Sequence, residues 1–296
     1  MKWTDRSFSA ELFTDQTNVG GIATWESGKI ERYGANVLIS YATDSLPPEM
    51  LEDLDDWLEL NGLAVERVYA KRLVVGPGKD DAPTLIRGAS DDGLVSLVRE
   101  HGLNYEVDFR GGYSCGLFLD QRANRQRLRE RNPARILNTF AYTCSFSVAA
   151  ASAGAQTVSL DIAKVALERG RRNFTHNGLS LEGHRFIADD VLDVFPRLAR
   201  RGEKFDAIIL DPPTFSRGRS GRPFRVERDM MVLIDLAVQC AAPHAAILLS
   251  TNCTSLGLSE LRRLGAAVVP RARFSSVDAL PDLPQHTAST LWMELP

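Results

Sequence analysis

The chain has few cysteines and no long run of apolar residues. Its 296 residues include four cysteines, Cys115, Cys144, Cys240 and Cys253, which lie far apart without a Cys-x-x-Cys pair. This spacing argues against a zinc site and against a disulfide scaffold, and a reducing cytoplasm is the expected location. No stretch approaches the roughly 18 apolar residues that a membrane helix needs. No apolar segment follows the charged N-terminus, so we expect no secretory signal.

The chain also lacks a strong net charge, but its charges are unevenly distributed. The formal net charge is −3, of which residues 1–60 carry −8 and residues 61–296 carry +5. Residues 120–135 contain six arginines and two acids, and residues 217–228 contain five arginines and one acid. A solvated surface is the simplest interpretation of either run. A flexible Gly/Ser-rich loop with five arginines is nevertheless a common way to bind the phosphates of RNA.

The sequence of residues 1–110 predicts a small α+β domain. Pro47-Pro48 introduces a helix over 49–61, which has apolar residues at helical spacing and ends at Gly62. The acids near its start suit the helix dipole, so they do not indicate a metal site. No catalytic constellation is apparent in this domain. A turn is predicted at 80–83, and strands are predicted at 36–41, 65–70, 84–87 and 103–109.

From about residue 135 onwards, the sequence predicts strands that alternate with helices. The strands are predicted at 136–140, 157–160, 184–187, 205–210 and 245–250. The helices are predicted at 145–154, 163–177, 193–201 and 224–241. This alternation is typical of βαβ units and of a mostly parallel sheet. We therefore predict an α/β domain over residues 111–296, with functional groups at the carboxyl ends of its strands.

Polar residues end or follow the predicted strands in order, and they are Asn138, Asp161, Asp189, Asp211 and Cys253. One such aspartate would most simply be a helix N-cap, but the ordered series predicts a ligand pocket. The segment 138–147 lacks the Gly-x-Gly-x-x-Gly motif, which disfavours a nicotinamide-dependent dehydrogenase. Asp161 could accept both hydroxyls of a ribose. Asp189 could accept from an adenine amino group, and the Asp190 amide could donate to a ring nitrogen.

The most specific motif is Asp211-Pro212-Pro213-Thr214-Phe215, directly after the fourth predicted strand. Its two prolines fix the backbone and remove two donors, so carbonyl groups there can only accept. Such a turn is typical of methyltransferases that hold a flat nucleobase, with the aromatic ring stacked on the base. We predict Asp211 and Pro212 as catalytic residues. The predicted substrate-binding residues are Phe215, Arg217, Arg219 and Arg222.

From about Asn104 to its end, the chain resembles the class I S-adenosylmethionine-dependent methyltransferases that modify large-subunit (23S) ribosomal RNA. The resemblance is carried by residues 116–122, 137–143, 159–161, 173–179 and 205–215. It implies a Rossmann-like domain with a mostly parallel seven-stranded sheet, S-adenosylmethionine as cofactor and ribosomal RNA as partner. Residues 1–110 resemble the central domain of that family more weakly. The family's N-terminal PUA-type RNA-binding module is not expected in this chain.

The sequence pattern and this resemblance together predict a cofactor site. The predicted residues are Gln121, Arg122, Asn138, Thr139, Phe140, Tyr142, Ser145, Asp161, Ile162, Asp189, Asp190 and Asp211. Gln121 and Arg122 rest on the resemblance alone, as a lid over the cofactor. Cys144 and Ser145 stand where the family usually has glycines.

Two subfamilies imply different chemistry for the reaction. In the cytosine-5 subfamily a cysteine after the fifth strand attacks C6, which makes C5 electron-rich enough to take a methyl group. Cys253 falls at that position, so we favour this chemistry, with a buried structural cysteine as the plain alternative. The guanine-N7 subfamily needs no cysteine, because N7 has its own lone pair, and residues 211–216 and 224–229 resemble that subfamily. A non-catalytic RNA-binding protein and a small-molecule methyltransferase are further alternatives.

Overall fold

The computed structural model describes residues 1–73, 82–90, 95–110, 114–217, 223–283 and 288–296. The chain forms two compact units. The first comprises Met1–Arg122 and Ala279–Thr287, and the second comprises Ala123–Asp278 and Ala288–Pro296. The first unit therefore extends past the predicted division at residue 110, and it includes a segment from late in the chain.

The first unit contains a six-stranded sheet whose strands lie side by side in chain order. They are β1 (Lys2–Trp3), β2 (Val19–Trp25), β3 (Gly28–Tyr33), β4 (Asn36–Tyr41), β5 (Arg67–Arg72) and β6 (Thr84–Arg87). Helix α1 (Arg6–Leu12) follows β1, and helix α2 (Met50–Leu60) connects β4 to β5. Only β4 and β5 run parallel, as a helical connection requires. Strands β7 (Ser96–Glu100) and β8 (Leu103–Val107) form a separate antiparallel hairpin.

Helix α2 packs on this sheet through the apolar residues that predicted it. Met50, Leu54 and Trp57 are buried together with Ile22 and Ile39 of the sheet. The predicted helix and the predicted strands at 36–41 and 84–87 are therefore present, with helix bounds that differ by one residue at each end. Residues 80 and 81 of the predicted turn lie outside the described residues.

The second unit contains a seven-stranded sheet in the order β11-β10-β9-β12-β15-β17-β16. Its strands are β9 (Arg135–Thr139), β10 (Gln156–Asp161), β11 (Arg185–Ala188), β12 (Phe205–Leu210), β15 (Ala241–Thr251), β16 (Arg273–Ser275) and β17 (Ser289–Glu294). Only β17 runs antiparallel to its neighbours. The predicted Rossmann-like, mostly parallel seven-stranded sheet is confirmed. A short hairpin of β13 (Phe215–Arg217) and β14 (Pro223–Arg225) stands apart from this sheet.

Helices alternate with these strands, as the sequence predicts. They are α3 (Arg122–Arg131), α4 (Ser145–Ala151), α5 (Lys164–His176), α6 (Val191–Arg200), α7 (Val226–Cys240) and α8 (Leu258–Val268). The helix predicted at 224–241 begins only at Val226, because the preceding residues pair with β13 as strand β14. None of the helices in the described part of the chain is long and apolar enough to cross a membrane.

The core of the second unit lies on both faces of its central strands. Ile208 and Leu210 of β12 pack with Leu233 of α7 on one face. Ile209 packs with Trp292 of β17 on the other. Strands buried on both faces have continuous apolar sequences, which is why β12 and β15 are evident from the sequence. This core places the carboxyl ends of the parallel strands along one edge of the sheet.

Candidate active site

The loop between β9 and α4 has an unusual backbone. Phe140, Tyr142 and Cys144 all have positive φ angles, of 51°, 46° and 62°. This left-handed conformation costs a non-glycine residue roughly 1–2 kcal/mol, so the surrounding structure must stabilise it. The Ala141 amide donates to the Leu160 carbonyl at 3.0 Å, and the Tyr142 amide donates to the Asp161 carboxylate at 2.8 Å. The loop is thereby fixed to the end of β10.

Asp161 ends β10 and faces this loop. Its Oδ2 accepts from the Tyr142 amide and its Oδ1 from the Ala163 amide, both at 2.8 Å. A carboxylate has about four lone-pair sites, so these bonds leave acceptor capacity for a ribose hydroxyl. Burial raises the pKa of Asp161, against the opposing effect of the amide hydrogen bonds. The neighbouring Ile162 is 42% exposed and presents an apolar side chain beside the carboxylate. These features fit the ribose and base of a nucleoside-containing cofactor.

Asn138 and Thr139, both predicted cofactor residues, have buried side chains. The Asn138 amide donates to Ser147 Oγ at 2.9 Å, and Ser147 Oγ lies 2.8 Å from Ser159 Oγ. The Thr139 hydroxyl donates to the Ile209 carbonyl at 2.6 Å. These bonds connect β9 to α4, β10 and β12, so the two side chains stabilise the end of β9 from which the loop starts. Ser145 begins α4 directly after the loop.

The two aspartates after β11 interact with each other. Asp190 caps α6 by accepting from the Leu192 amide at 3.0 Å, so the N-cap interpretation holds for this residue. Asp189 Oδ1 accepts from the Asp190 amide at 2.9 Å. That amide, predicted to face a ring nitrogen, is therefore bonded within the turn. Asp189 Oδ2 forms an ion pair with Arg197 at 2.8 Å.

Asp211 joins the carboxyl ends of β12 and β15. Its Oδ1 accepts from the Ser250 hydroxyl at 2.6 Å. Pro212 is buried, whereas Pro213 and Thr214 are exposed. The Thr214 carbonyl accepts from the Val226 amide at 3.2 Å. The Asp-Pro-Pro-Thr turn is thus connected to the first residue of α7.

The hairpin that follows this turn presents an aromatic side chain. Phe215 is 51% exposed, and the Arg225 guanidinium lies 6.0 Å from the centre of its ring. Arg228 is ion-paired with Asp229 at 2.7 Å. The side chain of Arg217 is outside the described part of the structure, as are Arg219 and Arg222 entirely.

Cys253 follows β15 and is only 7% exposed. Its Sγ lies 3.1 Å from Ser255 Oγ and 3.5 Å from Glu227 Oε1. The Ser255 hydroxyl donates to the same Glu227 oxygen at 2.5 Å. Glu227 and Ser255 were not predicted from the sequence, because nothing in it signals contacts across 26 and 28 residues. No group of three or more potential metal ligands occurs among the described residues.

Gln121 and Arg122 lie in the first unit, where both are buried. The Arg122 guanidinium donates two hydrogen bonds to the Asp282 carboxylate, at 2.6 and 3.1 Å. This side chain therefore has a structural partner within its own unit. The role of these two residues as a cofactor lid stays a prediction.

Most of the first arginine run forms ion pairs within the protein. Arg127 and Arg131 both contact Glu294, at 3.6 and 2.6 Å, and Arg135 contacts Glu203 at 2.6 Å. The guanidinium of Arg127 also lies over the ring of Trp292. Arg127 and Arg131 connect α3 to β17, and Arg135 connects β9 to the segment before β12, so the run is largely structural.

The fold and the strand-end residues define a class. The order of the seven strands, with a single antiparallel strand, and the aspartate at the end of β10 are those of a class I methyltransferase. A family model for S-adenosylmethionine-dependent methyltransferases matches residues 82–290. The chain belongs to this family, and the predicted cofactor, S-adenosylmethionine, is confirmed.

Several relatives are named as methyltransferases of large-subunit ribosomal RNA. Ribosomal RNA large subunit methyltransferase I of Salmonella arizonae is 39% identical over 231 residues, covering 77% of this chain and 53% of that protein. The protein of the same name from Aeromonas salmonicida is 36% identical over 162 residues, covering 54% and 40%. The chain thus spans about half or less of the length of these relatives.

Two solved structures share the fold across almost the whole chain. The crystal structure of SMU.776 complexed with S-adenosylhomocysteine has a TM-score of 0.79 at 24% identity, covering 100% of this chain and 83% of that one. The S-adenosylmethionine-dependent methyltransferase from Agrobacterium tumefaciens has a TM-score of 0.76 at 19% identity, covering 96% and 91%. At these identities the similarity establishes the fold alone.

Proposed function

We propose that this protein methylates C5 of a cytosine in RNA, that ribosomal RNA is the substrate class, and that Cys253 is the nucleophile. The observation that carries the proposal is the position of the Cys253 thiol. It follows β15 at the edge of the sheet where Asp161 and Asp211 lie, and it is hydrogen-bonded to a carboxylate. The names of the large-subunit ribosomal RNA methyltransferases similar to this chain support the choice of substrate. All four cysteines are free thiols, which fits action in the cytoplasm.

Different residues at this edge of the sheet bind the cofactor and the target base. S-adenosylmethionine supplies an electrophilic methyl group on a sulfonium sulfur. Asp161 accepts from the ribose hydroxyls, and the Tyr142 amide of the positive-φ loop before α4 holds its carboxylate in place. Phe215 stacks on the target base, and Asp211 hydrogen-bonds to the base edge.

A cysteine nucleophile is needed because C5 of cytosine is a poor nucleophile on its own. Addition of the Cys253 sulfur to C6 moves the electron pair of the C5–C6 double bond to C5. C5 can then take the methyl group. Loss of the C5 proton restores the double bond and releases the sulfur. Asp211 stabilises the charge that develops on the base.

Methylation of guanine N7 is the second candidate, because one observation favours it. Cys253 is 7% exposed and packs with the core beneath α7, as a structural cysteine does. The Asp211 turn and the exposed Phe215 would suffice to orient a base whose nitrogen already has a lone pair.

Replacement of Cys253 distinguishes the two candidates. Cys253→Ala abolishes turnover if the target is C5, and it has little effect if the target is N7. Asp211→Ala is severe in both cases. RNA that contains 5-fluorocytosine traps a covalent complex with the wild-type protein only in the C5 reaction, since fluorine blocks the last proton loss.

Cys240→Ala is the matched control, since Cys240 is fully buried at the end of α7. We expect this variant to retain turnover and trapping. Mass spectrometry of digested RNA identifies the methylated base. Full activity of Cys253→Ala would exclude the cytosine mechanism.

A further inference from the structure

Two hydrogen-bond donors converge on one carboxylate oxygen beside the proposed nucleophile. Glu227 Oε1 accepts from the Ser255 hydroxyl at 2.5 Å and from the Cys253 thiol at 3.5 Å. The two donors are themselves 3.1 Å apart. Because an ionised carboxylate can only accept, the thiol is the donor in its hydrogen bond with Glu227.

Glu227 lies where a negative charge is stable. It is in the first turn of α7, where the helix dipole favours an anion. Hydrogen bonds from Ser255 and then from Cys253 lower the pKa of Glu227 below its ordinary value. Its carboxylate is therefore ionised at neutral pH.

The backbone connects Glu227 to the elements that carry the other proposed substrate residues. Glu227 is two residues after β14, which pairs with β13 and places Arg225 opposite Phe215. The amide of the preceding Val226 donates to the Thr214 carbonyl of the Asp-Pro-Pro-Thr turn. Glu227 thus follows a residue that is bonded to the turn expected to hold the base, and its carboxylate contacts the cysteine expected to attack it.

We propose that Glu227 is a catalytic residue that accepts the proton of the Cys253 thiol, with Ser255 as a positioning residue that holds the carboxylate. The inference rests on the proposed function, because it assigns the proton of the nucleophile used there. A structural role as a helix first-turn acid requires neither the thiol nor the hydroxyl as partner. The convergence of both donors on Oε1 is what points to a role in the reaction.

In the proposed step, the Cys253 thiol loses its proton to Glu227 and adds to C6 of the cytosine. The S–H bond of Cys253 breaks, its proton moves to Glu227 Oε1, and its electron pair stays on the sulfur. The sulfur pair forms the S–C6 bond, and the electron pair of the C5–C6 double bond moves to C5. After methylation the C5 proton leaves to water, and its electron pair forms the C5–C6 double bond as the S–C6 bond breaks with its pair on the sulfur. The sulfur then recovers the proton from Glu227.

The experiment measures the rate of covalent trapping of 5-fluorocytosine-containing RNA at saturating S-adenosylmethionine. In Glu227→Gln, the carboxamide cannot take the proton, so we expect trapping and kcat to fall about 100-fold. Affinity for RNA and for S-adenosylmethionine stays within twofold of wild type. Glu227→Asp keeps an acceptor and recovers part of the rate, which a purely structural role does not explain. Ser255→Ala slows trapping by several-fold.

Glu260→Gln is the matched control, because Glu260 is likewise a first-turn acid of a helix and is ion-paired with Arg263. It should trap RNA at the wild-type rate. If the wild-type protein traps RNA and Glu227→Gln traps it equally fast, Glu227 is not the proton acceptor and the proposed function stands. If the wild-type protein traps no RNA, the cytosine mechanism fails, and the role of Glu227 fails with it.

Discussion

Asp161 combines a structural and a proposed binding role in one carboxylate. It holds the positive-φ loop through Tyr142 and the start of α5 through Ala163, and it keeps lone pairs for a ligand. An acid that is already fixed by two amides loses little freedom when a ribose binds. The strained loop is therefore pre-organised by the same residue that is expected to bind the cofactor.

We expect Asp161→Asn to weaken S-adenosylmethionine binding by about 1–3 kcal/mol, because one acceptor oxygen becomes a donor facing the hydroxyls. Isothermal titration calorimetry measures this loss. Asp206→Asn is the matched control, since Asp206 accepts from the Arg135 amide at the opposite end of its strand. Equal affinity of Asp161→Asn and wild type would contradict the ribose assignment.

The pH dependence of binding tests the same residue. Burial raises the pKa of Asp161 above its ordinary 3.8, so the carboxylate becomes protonated at a higher pH than a free aspartate. Its folded-state pKa exceeds the unfolded one, so this protonation favours the folded state and does not itself cause acid unfolding. We expect affinity for the cofactor to fall as the pH falls towards that pKa, and Asp161→Asn to lack this dependence.

Site residues could be predicted from the sequence where they lie at the carboxyl end of an apolar strand. Asp161 and Asp211 lie at the ends of apolar parallel strands. Because the carboxyl ends of such strands meet at one edge of the sheet, the topology predicts that both residues lie at that edge. Glu227 could not be predicted, because it meets Cys253 and Ser255 only through the packing of α7 beside β15. The positive φ angles of Phe140 and Tyr142 could not be predicted either, since non-glycine residues rarely adopt that conformation.

At the scale of elements, the β13–β14 hairpin links the Asp-Pro-Pro turn to α7. The sequence predicted a loop before a helix from residue 224, but Phe224 and Arg225 pair in the hairpin. Phe224 is buried and lies 5.8 Å from the ring of Phe140, which anchors the hairpin near the strained loop. Phe215 remains exposed for stacking on a base.

Replacing Arg217, Arg219 and Arg222 together by Gln is expected to reduce RNA affinity and to flatten its salt dependence. Loss of three contacts with single-stranded phosphates lowers the slope of log K against log salt by about 2. Fluorescence anisotropy at several salt concentrations measures both quantities. The control replaces Arg262 on α8, Arg271 in the turn that follows it and Arg273 at the start of β16. An unchanged slope in the first variant would mean that this run is a solvated surface.

At the scale of the whole molecule, a late segment of the chain completes the first unit. Asp282 accepts from the Gly21 amide at 2.8 Å and from the Arg122 guanidinium, although 261 and 160 residues separate these partners. Gly21 permits this approach, because a Cβ there would lie 2.1 Å from the Asp282 carbonyl oxygen. Two successive glycines usually weaken a strand, which is why β2 was not predicted. The two glycines are explained by their contact with the late segment that contains Asp282, and sequence periodicity cannot connect that segment to β2.

The buried pair of Arg122 and Asp282 is therefore expected to stabilise the first unit. Arg122→Met leaves a fully buried carboxylate without its cation and should lower the free energy of unfolding by about 3–5 kcal/mol. Three of the four tryptophans, Trp3, Trp25 and Trp57, belong to this unit, so their fluorescence during urea unfolding follows it. Arg263→Met, which removes an exposed pair with Glu260, should cost less than about 1 kcal/mol. A loss in Arg122→Met no larger than that control would show that the pair is not what connects the late segment to the first unit. Arg122→Met with Asp282→Leu should recover part of the loss, because the double variant leaves no buried charge unpaired.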